Sequence, residues 1–141
     1  ICHTDMLATF AAIVGEKLGS GDGLDSFDIS AVLFGREQKV PGREALVLQS
    51  SGRVLSVRQG EWKLIPQLGS GGFSKPRREK PSPGGPVGQL YNLREDPAEV
   101  TNLYLQKPKI VEELAGLLGR FRREGRSRPS TPAPGRPTGD E

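Results

Sequence analysis

Apolar residues near the start of the chain recur at spacings of three and four. The positions that form this pattern are Leu7, Phe10, Ala11 and Val14. Such spacing places side chains on one face of a helix, and it predicts a short amphipathic helix that Thr4 can cap and Gly15 can end. A second helical stretch, at 29–34, has room for little more than one turn before Gly35 stops it.

The middle of the chain follows a different pattern. Short runs rich in Val, Leu, Ile and Trp stand at 45–50, 54–59 and 62–67, separated by turn residues, and a fourth apolar run stands at 89–93. Within the second run apolar and polar residues alternate, so one face of that strand is expected to cover a core. The four runs predict a four-stranded antiparallel sheet.

Loops and a long helix account for the rest of the chain. Gly and Pro crowd 68–88, which predicts a surface loop. From Pro108 onward a single apolar stripe predicts a helix that Gly125 ends. The stripe comprises Ile110, Val111, Leu114, Leu117, Leu118 and Phe121. Pro, Ser, Thr, Gly and Arg dominate 125–141 and predict a disordered tail. The fold class is therefore α+β: the sheet packed with this C-terminal helix, plus a short N-terminal helix.

Composition narrows the possible classes of protein. The 141 residues, 34% hydrophobic and 26% charged, suit one small globular domain. A net charge of +3 is too small to indicate a nucleic-acid-binding protein, and a single Cys excludes an internal disulfide. No apolar run is long enough to predict a membrane span. Because the chain starts at Ile1, we expect its natural start, with any signal peptide, to lie upstream.

Five short motifs stand in a fixed order along the chain. They are Thr4-Asp5-Met6-Leu7-Ala8-Thr9, Val57-Arg58-Gln59-Gly60-Glu61-Trp62-Lys63-Leu64-Ile65, Gln89-Leu90-Tyr91-Asn92-Leu93, Asp96-Pro97-Ala98-Glu99 and Asn102-Leu103. In this order they resemble the closing segment of arylsulfatase A-type sulfatases, in the sulfatase and alkaline phosphatase superfamily. Ala8 departs from the proline that this family often has. The stretch 125–128 is similar to the end of some bacterial members.

The resemblance implies a C-terminal subdomain attached to a larger α/β catalytic domain. Residues 1–35 would connect to that missing N-terminal domain, 36–124 would form the subdomain, and 125–141 would be the tail. The expected role is structural, in a sulfatase that hydrolyses sulfuric esters and is periplasmic or secreted. Calcium and formylglycine are implied for the whole enzyme, upstream of this chain, which alone is predicted to be inactive. The face that meets the larger domain is then expected to be an exposed apolar patch.

Three residues near the N-terminus are candidates for a nucleophile or a metal site. In sulfatases the nucleophile arises from Cys or Ser in a Cys-x-Pro-x-Arg motif, but here Thr4 and Met6 replace the Pro and the Arg after Cys2. Cys2 is therefore expected to be a small buried hydrophobe. His3 and Asp5 could begin a metal site, yet such a site needs three or four ligands. Asp5 is instead expected to favour the first helical turn. No residue is predicted to be catalytic, cofactor-binding or metal-binding.

Aromatic and basic residues elsewhere leave alternatives open. Trp62, Tyr91 and Phe121 could meet a sugar or aryl substrate, although core packing is the favoured interpretation. Arg58 and Lys63 could meet an anionic substrate, although a solvated polar face is the usual explanation.

The charged residues of the later segments are treated in the same way. A basic cluster in the loop could contact sulfated polysaccharide or nucleic acid, with a solvated loop favoured. Its members are Lys75, Arg77, Arg78 and Lys80. Asp96 and Glu99 are expected to make a turn into the last helix. Two other functions therefore stay open: part of a phosphate or phosphonate ester hydrolase of the same superfamily, and a free-standing polyanion-binding module. Nucleic acid is not predicted as a partner.

Overall fold

A computed structural model of the chain describes residues 2–37, 39–40 and 42–129. The elements in chain order are a 3-10 turn His3–Asp5, α1 Met6–Ile13, α2 Ser30–Leu33, β1 Leu46–Gln49, β2 Leu55–Gln59, β3 Trp62–Ile65, β4 Gln89–Asn92 and α3 Pro108–Glu124. The predicted strands are each trimmed by one or two residues at their ends. The α+β class and the identity of the elements are confirmed.

The sheet is a meander in which spatial order follows chain order, β1-β2-β3-β4, with every pair antiparallel. Leu64 at its centre lies opposite Val57 on one side and Leu90 on the other. All three side chains are at most 1% exposed. Side chains on one face of neighbouring strands stabilise a sheet by packing against each other, so this row fixes the register.

Helix α3 supplies the other half of the core. Its stripe is buried as predicted, with Leu114, Leu117, Leu118 and Phe121 joining Ala45 and the central row of the sheet. Ile110 and Val111 pack against this cluster from its margin. Full burial of one such side chain contributes about 1.5–3 kcal/mol, which makes the contact of α3 with the sheet the main source of stability here.

The outer edge of β4 is closed by the segment that follows it. Asn102 accepts hydrogen bonds at Oδ1 from the Leu90 and Tyr104 amides, both at 3.0 Å, and donates from Nδ2 to the Gly88 carbonyl. The Leu103 amide donates to the Leu90 carbonyl at 2.8 Å. Pairing an edge strand in this way satisfies backbone groups that would otherwise be open.

The described residues up to Arg43, together with those from Gly125 onward, form one compact unit, and Glu44–Glu124 form another. In the first unit α1 starts one residue later than predicted, since Asp5 rather than Thr4 is the N-cap residue. Gly15 follows α1 with φ 80°, in the left-handed region that ends helices.

The residues just after α3 are held within the first unit. Ser127 donates from its amide and its hydroxyl to Asp25 Oδ1, both at 2.7 Å, and the Arg128 amide donates to the Leu24 carbonyl at 2.9 Å. The remainder of the predicted tail, 130–141, lies outside the described residues.

Across the part of the chain that the structure covers, no helix has the length and apolar character needed to cross a membrane.

Candidate functional site

Asp5 is the most deeply buried charged residue of the N-terminal unit, with no exposed surface. Its Oδ2 accepts a hydrogen bond from the Cys2 amide at 3.0 Å, and its Oδ1 accepts one from the Phe27 amide at 3.3 Å. The same Oδ1 forms an ion pair with Arg43. Asp5 therefore does more than favour the first helical turn, because it joins three separate parts of this unit.

Arg43 completes the buried pair. Its side chain is 14% exposed, and its guanidinium carbon lies 4.5 Å from the centroid of the Phe27 ring. Its Nε is buried and has no hydrogen-bond partner among the described residues. A charge stacked on an aromatic face and paired with a carboxylate is stabilised only while both partners stay in place.

Two hydroxyl groups extend this network along α1. Thr9 donates from Oγ1 to the Asp5 carbonyl at 2.7 Å and accepts from the Ile29 amide at 3.2 Å. Ser26 accepts at Oγ from the Ala8 amide at 2.9 Å. These buried polar groups are satisfied within the unit, so their arrangement holds α1 against the 26–29 segment rather than presenting groups to a ligand.

Cys2 and His3 lie next to this network. Cys2 takes part in it through its backbone amide. Cys2 is half-buried, and a hydrogen bond involving the Thr4 side chain lowers the pKa of its thiol below the ordinary value. His3 is exposed. His3 is the single histidine of the chain, so it has no second histidine with which to share a metal ion.

The resemblance implies a calcium site upstream of this chain. Among residues 2–37, 39–40 and 42–129, no group of three His, Cys, Asp or Glu side chains converges to hold a metal. Asp5 is already committed to Arg43. Calcium and formylglycine stay predictions for a whole enzyme.

Two basic residues on the sheet are accounted for by neighbours. Lys63 Nζ lies 2.5 Å from Glu99 Oε1, and Arg58, its register partner, donates from Nε to the Gly60 carbonyl at 3.1 Å. An ammonium paired in this way has its charge largely neutralised, which favours the structural interpretation of Lys63.

The Asp-Pro-x-Glu motif forms the predicted turn. Asp96 accepts at Oδ2 from the Thr101 amide at 2.7 Å, and its carbonyl accepts from the Glu99 amide at 3.2 Å. Glu99 has φ 56°, a left-handed conformation uncommon for a residue with a side chain. The Thr101 N–H holds the pKa of Asp96 below its ordinary value.

Acidification should release this turn. Because the pKa of Asp96 is lower in the folded chain, its contribution to stability is present above the ordinary pKa of about 3.9 and is lost as pH falls through the lowered value. The chemical shift of the Thr101 amide can be followed by NMR during an acid titration. The midpoint of this titration should lie below the ordinary Asp pKa of about 3.9. Asp96→Asn should abolish the transition. A midpoint at or above the ordinary value would contradict the assignment.

The aromatic residues weighed as a substrate surface belong to the core instead. Tyr91 and Phe121 are each 6% exposed, and Trp62 packs against the same cluster. Tyr91 donates its hydroxyl to Gln89 Oε1 at 2.7 Å, and burial raises the pKa of its phenol. These three side chains pack in or against the core, as the sequence favoured.

The basic cluster lies on an exposed loop. Lys75, Arg77, Arg78 and Lys80 are all exposed. None of these four cations forms an ion pair with another residue that the structure describes. Their charge is therefore open to solvent or to a ligand.

The apolar stripe of α1 points outward. Leu7, Phe10, Ile13 and Val14 are 51%, 60%, 53% and 71% exposed, whereas Ala8 and Thr9 face inward. In the same unit Leu33 and Phe34, at the end of α2, are 50% and 60% exposed. We define these six residues as the apolar face. The predicted short helix is confirmed, and its large apolar side chains are unpartnered among the described residues.

The chain has relatives with known activity, although no family model matches it. An N-acetylgalactosamine-6-O-sulfatase of Bacteroides thetaiotaomicron is 30% identical over 115 residues, which make up 81% of this chain and 22% of that protein. The chain thus spans less than a quarter of the length of this relative.

Solved structures agree with this relationship. One from Bacteroides thetaiotaomicron, described in connection with the metabolism of multiple glycosaminoglycans, is 30% identical with a TM-score of 0.67 and matches 84% of this chain and 24% of its own. Another, solved with its substrate D-glucosamine-2-N,6-O-disulfate, shares the fold at 22% identity and a TM-score of 0.59, with 85% and 23% covered. Sequence motifs, fold and these matches converge: the chain belongs to the sulfatase family and corresponds to the C-terminal segment of a sulfatase.

Proposed function

We propose that the chain is an accessory, structural part of a sulfatase, without the catalytic centre, and that it acts by docking onto the remainder of the enzyme. In this proposal residues 1–35 form the connection, 36–124 form the C-terminal subdomain, and the missing N-terminal domain is the partner. That domain would hold calcium and formylglycine and hydrolyse the sulfate ester of a sugar. Export to the periplasm or medium is part of the same proposal.

The apolar face is the observation that supports docking. Six large apolar side chains, half or more exposed, belong to one small unit. Patches of this kind mark interaction surfaces on folded proteins, because their exposure to water is unfavourable. The chain matches 22% of its sulfatase relative, which supplies an occupant: the other part of the same polypeptide.

A chimera with the Bacteroides sulfatase tests the proposal. The 115 matched residues of that enzyme are replaced by those of this chain, and hydrolysis of a 6-O-sulfated N-acetylgalactosamine substrate is measured. We expect the enzyme lacking the segment to be inactive, the chimera to recover activity, and the isolated chain to hydrolyse nothing. Activity in the isolated chain would overturn the accessory role.

Matched substitutions separate docking from general packing. Phe10→Ser in the apolar face should lower chimera activity about tenfold or more. An aromatic side chain that becomes buried on docking contributes about 1.4 kcal/mol or more to the interface. Leu105→Ser, at a site 58% exposed against 60% for Phe10, should leave it unchanged. An active chimera that responds equally to both would contradict docking through the apolar face.

A further inference from the structure

The loop between β3 and β4 contains one short segment that is rich in cations. Residues 75–80 carry four cations and one carboxylate, a formal charge of +3, which equals that of the whole chain with its 20 cations and 17 carboxylates. Outside the segment the two signs therefore balance at 16 each. This balance is a total, because a second basic stretch at 120–128 carries five arginines and one carboxylate. There Arg120 pairs with Glu44 and Arg128 donates to two backbone carbonyls, whereas none of the loop cations forms an ion pair among the described residues. Cations that lack such partners attract oppositely charged ligands.

The segment is held in place by backbone hydrogen bonds. The Pro76 and Arg77 carbonyls accept from the Ser70 and Gly71 amides at 2.9 and 3.0 Å, and Leu68 pairs with Glu79 in an isolated bridge. The loop thus folds back on itself, and its guanidinium groups project from a defined backbone. Ordering the loop on binding should cost little, because its backbone is already fixed.

The loop is also pinned to the turn between β1 and β2. The Gly52 amide donates to the Gly71 carbonyl at 2.8 Å, and a Cβ added at Gly52 would lie 2.6 Å from that oxygen. Because no side chain intervenes, the two backbones touch. A recess of about 320 Å³ opens beside them, with Arg77, Arg78, Ser51 and Gln67 in its walls. Two arginines at one recess suit an oxyanion, because a guanidinium group can bind one through two N–H groups.

An aromatic side chain accompanies these charges. Phe73 is 87% exposed, the highest value among the large apolar residues of the described chain. It stands two residues before Lys75 in the same loop. An exposed ring offers an apolar surface on which the ring of a sugar or a base can lie. Cations together with one ring indicate a ligand that is anionic and has an apolar face.

We propose that this loop binds a sulfated polysaccharide, with Arg77 and Arg78 on a sulfate group and Phe73 on a sugar ring. Nucleic acid is less favoured, because its closely spaced phosphates call for a broad basic surface, and the cations of this loop lie within six residues. The polysaccharide source rests on the proposed function, in which the partner domain acts on sulfated sugars.

Binding to defined probes tests the assignment. The 141-residue chain is titrated with chondroitin 6-sulfate, with unsulfated hyaluronan and with a short DNA duplex, at physiological salt, by calorimetry. We expect binding to chondroitin 6-sulfate that weakens with salt, and affinity for hyaluronan lower by about tenfold or more, since charge-assisted contacts to sulfate are each worth about that factor. Tighter binding to DNA, or no binding to chondroitin 6-sulfate, would overturn the assignment.

Two double variants with the same charge change locate the site. Arg77→Ala with Arg78→Ala should raise the Kd for chondroitin 6-sulfate about tenfold or more. Arg122→Ala with Arg123→Ala, which removes two exposed arginines from the end of α3, should change it less than twofold, within the usual scatter for distant surface sites. Equal losses from both pairs would show attraction by net charge alone and would reject the site, as would no loss from the first pair.

A third variant examines the ring. Phe73→Ser should weaken binding while leaving its salt dependence unchanged, because it removes stacking and no charge. An unchanged Kd would remove Phe73 from the site. Failure of the polysaccharide experiment leaves the chimera result untouched, since that experiment measures docking through the other unit, and the two proposals can therefore fail separately.

Discussion

Arg43→Met should destabilise the N-terminal unit by about 3–5 kcal/mol, the usual cost of leaving a buried charge without its partner. Asp5 would stay fully buried and bonded to the Cys2 and Phe27 amides, with nothing to balance its charge. Hydrogen exchange at the Phe27 amide, followed by NMR, measures the free energy of opening in this unit directly. The exchange should accelerate by the factor that corresponds to the lost stability.

Two further variants make the result specific to the pair. Asp5→Asn combined with Arg43→Met keeps one side-chain oxygen, which can accept one of the two amide hydrogen bonds, and removes both charges. The double variant should therefore recover part of the loss. Arg36→Met, at an exposed arginine of the same unit that stacks on the exposed Phe34, should change stability by about 0.5 kcal/mol or less. Equal effects of Arg43→Met and Arg36→Met would contradict the buried pair.

Leu64→Ala should cost the unit formed by Glu44–Glu124 about 2–5 kcal/mol, because it removes a buried side chain from the centre of the sheet. Leu64 is 1% exposed and lies opposite Val57 and Leu90, so the cavity has packed neighbours on both sides. Trp62, the one tryptophan of the chain, packs against the same core. Its fluorescence during urea unfolding therefore reports this unit.

The matched control is another leucine in the same unit. Leu105 is 58% exposed, and Leu105→Ala should leave the free energy of unfolding, and with it the urea midpoint, close to that of the parent chain, within about 0.5 kcal/mol. If Leu64→Ala shifts the midpoint no more than Leu105→Ala, the row of buried residues at the centre of the sheet does not carry the stability assigned to it.

The sheet and α3 could be predicted because their signals are local. Leu114, Leu117, Leu118 and Phe121 repeat at helical spacing, and all four are buried. The strand runs are bounded by turn residues that leave little choice of pairing, so a meander is the simplest arrangement. Here binary pattern, turn chemistry and packing agree, which is the condition under which a sequence specifies its fold.

The role of Asp5 could not be predicted, because its partner is remote. Arg43 lies 38 residues along the chain, and nothing in the composition near either residue signals the pair. The 3.6-residue period likewise identifies an apolar side of α1 without saying what covers it. Leu7 and Phe10 give the same pattern whether that side meets the protein interior or faces outward, as it does here.

The sequence shows the cluster of basic residues in the loop, but it does not show the recess beside them. Sequence shows Arg77 and Arg78 among glycines and prolines, which favours a solvated loop. The recess beside them depends on Gly52, which lies on another turn and approaches Gly71 without a side chain between them. Contacts of that kind follow from tertiary structure and carry no local signature.

The long excursion between β3 and β4 has one more consequence. The chain leaves the sheet after Ile65 and rejoins it at Gln89, while the pairing of these strands is secured by Leu64 and Leu90. Even for a loop without the hydrogen bonds that hold this one, doubling the length would cost only about 0.6 kcal/mol more. Residues can therefore be inserted, deleted or exchanged at its tip with little penalty to the fold. Evolution, or a protein engineer, can rewrite what this tip recognises while the sheet beneath it stays the same.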